Sequence, residues 1–457
     1  MQSTHPLGIP EIVSYVASYV RKRDLTACAL VSKTWYQAFN PLIWHDISWK
    51  YGRPFLPEAI QRHSQLVRAF KVPFGVETKA LHSLRFPKLV SLDAEHYELK
   101  DMNEWMMDHC SVTRLKLRVY EVDHEFWNSL LGFRHLKDLT LRDLRSWDDV
   151  DGFWQLCTHL ERLEIIKSYT PHQGNLLSMR FPSIKELIFN LTDWNNVRIL
   201  EFMQRCSNLT SFKYVGGEES AGFASSFSDL VTARTWSQLH SVSIWDDIAE
   251  DAILRIIEGM QRINVFEIYF LLDSFGFNAM ELLRPHFSNI RVLHLRCFNE
   301  SETSPMAQEI LSSCPLLEQL TAPPIEASVI AKGKPWVCTR LQELKLMFVY
   351  ADSTLPCLQP LVFDQLARLV RLETWCTNYS NQKPPHQVVD LTLKNGLSKL
   401  STLRSLRFIR LGNTYQKMGQ QEIDWILQHW INLENIGVSV NAALTKRLKE
   451  HGIRKWT

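Results

Sequence analysis

The stretches "WDDVD" from Trp147 and "WDDI" from Trp245 are the residues whose types first suggest chemistry. Paired carboxylates can exchange a proton as acid and base, or hold a hard cation through oxygen ligands. Both pairs, however, sit beside a strand-like stretch with a helical stretch to follow. There an aspartate serves as the helix cap, and capping is the expected role. "GGEES", from Gly216, lacks the strand, the glycine spacing and the lysine of a phosphate loop, and no G-x-S-x-G or H-E-x-x-H occurs. The nine cysteines are odd in number and widely spaced, with no C-x-x-C, which speaks against a disulfide framework or a zinc site. The 16 histidines are scattered. The expectation is a non-catalytic protein with no metal and no cofactor.

Composition narrows the partners. Lys plus Arg number 51 against 49 Asp plus Glu in 457 residues. That balance argues against nucleic acid or an anionic membrane as the main partner, a local patch aside. The start, "MQSTHPLGIPEIVSY", lacks a basic region followed by an apolar core, and no apolar run approaches the ~18 residues of a membrane span. A soluble location, cytoplasmic and/or nuclear, is expected.

One pattern organises the chain: L-x-x-L-x-L or a close variant. It reads "LVSLDA" at Leu89, "VTRLKL" at Val112, "LKDLTL" at Leu136, "LERLEI" at Leu160 and "IKELIF" at Ile184. Successive starts lie 23, 24, 24 and 24 residues apart. Copies continue to "LVRLET" at Leu369, "LRSLRF" at Leu403 and "LENIGV" at Leu433, and a weaker one sits at Val67. This is the spacing of leucine-rich repeats, each a strand with a helical or irregular return. Within "LKDLTLRDL" Leu139 and Leu141 share one face, while Asp138, Thr140 and Arg142 take the other. Each unit alone leaves its apolar face bare, so neighbours must stack. Cys157, Cys206 and Cys314 all stand three residues ahead of a repeat's first apolar residue, where Phe86 and Phe181 stand in other copies. They are expected to be small packing residues in one slot. The predicted fold is α/β: a short all-helical domain over 1–50, then an array of about 14 repeats over 51–440. That array is a parallel-strand horseshoe with helices on its convex side, its first clear strand near 89, and a capping helix follows over 441–457.

The opening segment has its own pattern. Pro10 suits a first helical turn, followed by Ile12, Val13, Val16, Tyr19 and Val20 at helical spacing. Asp24 suits the N-cap of a second helix carrying Leu25, Cys28, Val31 and Trp35, which Asn40-Pro41 is expected to stop. About forty residues is close to the size at which a core ceases to hold itself. In order, the leucine and "PEI" at the start, "DL", "LVSKTW" and the final "P-L-x-W" resemble the F-box. The repeats resemble the cysteine-containing leucine-rich repeats that commonly accompany it.

That resemblance implies the substrate receptor of an SCF-type ubiquitin ligase. The F-box would dock a Skp adaptor, which joins a cullin and a RING subunit, and the repeats would bind a protein target. Carried over by position, the adaptor-facing residues are Leu7, Pro10, Ile12, Val13, Val16, Leu25, Val31, Trp35, Pro41, Leu42 and Trp44. Gly8-Ile9 departs from the usual leucine directly before the proline. Two other roles stay open: an F-box protein that binds the Skp adaptor outside a cullin ligase, and a pure repeat scaffold. Residues between strand leucines should face the target. They include Arg114, Lys116, Arg118, Arg142 and Arg162, then Trp245, Tyr269, His294, Arg296, Lys345 and Trp375. The basic early copies would suit an acidic or phosphorylated segment, with aromatic anchors beyond.

Overall fold

The structure, a computed structural model, describes residues 9–48 apart from 21 and 23, 56–72, 81–94, 105–147 apart from 110, 150–171, 176–216, 222–269 apart from 247, 277–296, 304–350, 355–377, 389–439 and 442–455. Leu7, the acidic pairs' Asp148, Asp149 and Asp247, and most of the segment from Thr377 to Gln387 lie outside it. Two compact units divide the chain between Leu209 and Thr210.

The first unit opens with α1 (Pro10–Ala17), α2 (Leu25–Ala29) and α3 (Lys33–His45). Pro10 occupies the first turn of α1, where its missing N–H costs nothing. The helix expected over residues 25–39 is two helices, because Ser32 Oγ accepts the Trp35 N–H at 3.2 Å and starts α3 afresh. Pro41 does not stop α3 but sits within it. Its ring deprives the Gln37 carbonyl of a helical donor, and Gln37 is an exposed residue. Five side chains form the buried core of the three helices: Val13, Ala17, Leu25, Ala29 and Phe39, with Trp35 stacked on Phe39 at 5.3 Å.

Next come β1 (Asp46–Ser48), α4 (Pro57–Arg62), β2 (Ala69–Val72), β3 (Ser91–Ala94), β4 (Arg114–Arg118), β5 (Glu121–Val122) and α5 (His124–Leu131). The unit continues with β6 (Asp138–Arg142), β7 (Ser146–Trp147), α6 (Asp151–Cys157), β8 (Arg162–Ile166), β9 (Glu186–Asn190) and α7 (Asn196–Gln204). Strands β1, β2, β3, β4, β6, β8 and β9 pair parallel, each with the next. Leu92, Leu115, Leu139, Leu163 and Leu187 stand in one inward register row. Strands β5 and β7 make a second, short parallel pair. Asp123 Oδ1 and Asn195 Oδ1 cap α5 and α7 through backbone N–H bonds of 2.9 and 2.8 Å. One residue after β6, β8 and β9 the chain turns left-handed, at Asp143 (φ 61°), Lys167 (φ 49°) and Leu191 (φ 51°). Non-glycine residues bear strain there, and the 24-residue recurrence makes it a feature of the repeat.

The second unit repeats the scheme with β10 (Ser211–Val215), β11 (Ser241–Trp245), β12 (Val265–Tyr269), β13 (Val292–Arg296) and β14 (Gln319–Thr321). After these come β15 (Ile325–Glu326), β16 (Glu343–Lys345), β17 (Phe348–Val349), β18 (Thr374–Cys376), β19 (Phe408–Tyr415), β20 (Asn435–Ser439) and β21 (Arg454–Lys455). Apart from the separate β15–β17 pair, they stack parallel in chain order. The helix Ala442–Glu450 precedes β21, which pairs with β20. The fold is therefore a short helical domain followed by a leucine-rich-repeat solenoid.

Cys157, Cys206 and Cys314 are fully buried, and Cys338 fills the same slot ahead of Leu341. Burial pushes their thiols up, Cys338 to about 12, so they remain protonated packing groups. The slot also explains a register error. Trp375 pairs with Leu344 and Ile409 and is fully buried, so it does not face a target. Leu369 and Leu403 fill the cysteine slot, creating a false L-x-x-L three residues early, and an odd shift exchanges the two faces of a strand. The true copies run Leu372-Trp375-Thr377 and Leu406-Ile409-Leu411.

His109 is a buried structural histidine. Its Nε2 accepts the Phe86 N–H at 3.0 Å and its Nδ1 donates to the Trp105 carbonyl at 2.8 Å. Burial pulls its imidazole below the ordinary value, only partly offset by that carbonyl.

Two outcomes follow. Trp375→Ala should cost about 3–5 kcal/mol in urea unfolding, where an exposed strand residue would cost about 0.5. Below pH ~6.5 an unfolded His109 takes a proton that the folded state refuses, so stability is lost as pH falls from there toward the depressed folded value. His109→Gln should be less stable at pH 8 by about 1–3 kcal/mol, and the gap to the parent should shrink at pH 5.

Candidate protein-docking surface

The small helical core leaves large apolar side chains outside. Tyr15 on α1 and Tyr19 just after it are 67% and 72% exposed, and Leu30 and Val31, between α2 and α3, 82% and 63%. Ile12 and Tyr36 are also exposed. The tyrosines stand edge to face at 5.1 Å with their hydroxyls 3.0 Å apart. Burying one large apolar side chain is worth about 1.5–3 kcal/mol, so these exposed side chains are candidates for contact.

The residues expected on that face divide. Pro10, Ile12, Val31 and Pro41 are exposed, and Val16 and Trp35 are half-buried. Val13 and Leu25 are corrections: both lie in the core of the helical domain. Apolar residues at 12, 13 and 16 span more of α1 than one face, with 19 and 20 just beyond its end, and Val13 with Ala17 is the pair turned inward. Leu42 packs against the same core, and Trp44 stacks on His63 at 4.2 Å. Tyr15, Leu30 and Tyr36 were not singled out in sequence. Tyr15 sits three residues after Ile12 and four before Tyr19, so a second stripe was there to be found.

The sheet faces differ in chemistry. In the first unit Lys71, Lys116, Arg118 and Arg162 have acidic neighbours. Lys71 and Lys116 reach Asp93 at 3.1 and 3.5 Å, and Arg118 pairs with Asp143. Arg162 lies 2.9, 2.7 and 3.3 Å from Asp138, Glu164 and Glu186. Burial pulls its guanidinium down, but the bonds and charges of Asp138 and Glu164 outweigh this and push it up. Arg118 and Arg162 are thus knitted into cross-strand ladders, and Arg142 stands beside Arg118 in register.

In the second unit a partly buried carboxylate ties three strands. Glu267 on β12 accepts the Ser243 hydroxyl of β11 at 2.5 Å and lies 2.8 Å from His294 Nδ1 of β13, with Lys213 Nζ of β10 at 3.9 Å. Burial pushes its carboxyl up, but hydrogen bonds from His294 and Ser243, with Lys213 nearby, hold it down to about 2. Trp245 is 38% exposed, donates Nε1 to Ser243 at 3.0 Å, and has the Lys213 ammonium 5.4 Å from its ring centre. Lys345 reaches Glu343 at 2.5 Å. The Tyr269 and Arg296 side chains lie outside the described part of the structure.

Among the described residues no three His, Cys, Asp or Glu side chains gather as a metal site, and no helix is long and apolar enough to cross a membrane.

Residues 10–49 match the family described as F-box-like. The chain carries an F-box-like domain ahead of leucine-rich repeats. No curated protein matches it. Among solved structures it is similar to an internalin from Listeria monocytogenes, with 10% identity over 84% of this chain and 94% of that one, TM-score 0.34. A chain of the Rad7 and Elc1 complex in yeast shares 15% over 71% of this chain and 84% of that one, TM-score 0.43. One from the mouse RP105/MD-1 complex shares 12% over 88% and 67%, TM-score 0.36. The exposed Tyr15, Tyr19, Leu30 and Val31 all fall within the F-box-like residues.

The Glu267 tie has a pH signature. Its depressed carboxyl stabilises the fold above the unfolded value near pH ~4.3, and that contribution is lost as pH falls toward about 2. Glu267→Gln should flatten the stability profile between pH 5 and 2. An unchanged slope in acid-unfolding titrations would show the carboxylate to be unlinked.

Proposed function

We propose that the exposed helical face of the F-box-like domain docks a Skp-type adaptor, and that the chain thereby joins a cullin and a RING subunit as the target-binding subunit of a ubiquitin ligase. The repeats are the target-binding part, with no catalytic residue of their own. The carrying observation is Leu30 and Val31, adjacent, apolar and mostly exposed inside the matched domain. Side chains so placed contribute nothing to the chain's own core, and an interface that buries them with Ile12, Tyr15 and Tyr36 gains enough to offset association costs.

On the target side the ion pairs of the first unit weaken the case for an acidic segment at Arg118 and Arg162, whose charges are already answered. The aromatic anchor at Trp245 in the second unit is the better-supported contact, being both exposed and held in place.

The double substitution Leu30→Asp with Val31→Asp should leave the helical content unchanged by circular dichroism and abolish adaptor capture in affinity purification. Recovery of adaptor and cullin by the parent supports the ligase reading. Adaptor without cullin would place the protein outside a cullin ligase, and capture unaffected by the substitution would remove the docking face.

A further inference from the structure

We infer that the F-box-like helices and the first repeats are one mechanical unit, joined through Trp44, and that Trp44 is a positioning residue and not an adaptor contact. The inference rests on the proposed adaptor docking only for its functional meaning; the joint itself is a matter of the chain's own packing.

Four observations carry it. No linker separates the two parts: α3 ends at His45 and β1 begins at Asp46. β1 pairs with β2 in unbroken register, Asp46 with Ala69, Ile47 with Phe70 and Ser48 with Lys71, and the Arg68 N–H donates to the His45 carbonyl at 2.9 Å. The helices thus lead directly into the strand that covers the β2 edge. The Trp44 ring, in the last turn of α3, lies nearly flat on His63 beyond the domain, 4.2 Å between centres and 19° between planes. Its indole N–H is spent on Asn40 Oδ1 at 3.0 Å, which fixes the ring. Finally, Lys22, in the loop before α2, donates to the Asp46 carbonyl at 2.6 Å and so ties the far side of the domain to the same strand.

The physical need is clear from the core. Five buried side chains over forty residues fall short of self-sufficiency, and β1 with the Trp44–His63 stack adds an anchorage that the helices lack alone. An adaptor seated on α1–α3 would then hold the repeats at a fixed attitude, and its binding energy would reach β2.

Hydrogen exchange of the full-length chain, read by mass spectrometry, tests this. Without adaptor, α1–α3 and β1–β2 should open together in the parent. Trp44→Ala should speed exchange in α1–α3 and β1–β2 about tenfold, leaving β6–β9 unchanged. His63→Ala should do the same although it lies outside the matched domain, and Trp44→Phe, which keeps a stacking ring, should restore much of the protection. Unchanged exchange in both alanine variants would overturn the joint. With purified adaptor, Trp44→Ala should still be captured; lost capture with unaltered exchange would make Trp44 an adaptor contact and overturn the assignment. A parent chain that captures no adaptor refutes the docking proposal instead, a failure the adaptor-free comparison keeps separate.

Discussion

Apolar surface that the chain cannot cover by itself governs this molecule at two scales. In the repeats, each strand turns two inward side chains to a face that only neighbouring repeats seal, so the array grows by stacking, and Leu115, Leu139 and Leu163 lie side by side in register. In the opening helices the same shortage remains partly unanswered. Val13, Ala17, Leu25, Ala29 and Phe39 fill the interior, and Leu30, Val31, Tyr15 and Tyr19 are left in solvent. One side of the domain finds relief against its own chain, through β1 and Trp44 on His63. The exposed side chains are the surface that the proposed adaptor would cover.

Charge plays a different part. The cross-strand ladders of the first unit, centred on Asp93 and Arg162, and the Glu267 tie in the second, pair opposite charges on neighbouring strands where like charges would repel. They fix register along the sheet more than they add stability, since half-exposed pairs are worth little each. On the second unit's sheet face the Trp245 ring, held by Ser243 and Lys213, is nonetheless 38% exposed.

Much of this was legible in the sequence, for physical reasons. Strand alternation has period two and the repeats recur at 22 to 25 residues in the first unit, so the parallel array and the role of Cys157, Cys206 and Cys314 could be read directly. The order of leucine, proline and tryptophan signals in the first fifty residues gave the F-box resemblance that the match over 10–49 bears out. What failed did so where the pattern is degenerate. Trp375 was misplaced because a leucine in the cysteine slot imitates the motif three residues early. Val13 and Leu25 were set outward because short helices rich in apolar residues do not declare which face is inside. The break at Ser32 and the helical Pro41 depend on one capping hydroxyl and on the exposure of Gln37, which periodicity does not register. Arg118 and Arg162 looked free because their partners, Asp143 and Asp138, lie 25 and 24 residues away in sequence and beside them only in the sheet.

The central claim is that the helical face is an apolar interface for a Skp-type adaptor. Titration calorimetry of the purified full chain with purified adaptor, repeated across temperatures, addresses it most directly. The account requires one-to-one binding with a clearly negative heat-capacity change, the mark of apolar surface leaving water. Absence of binding, or binding with no heat-capacity change, would contradict it.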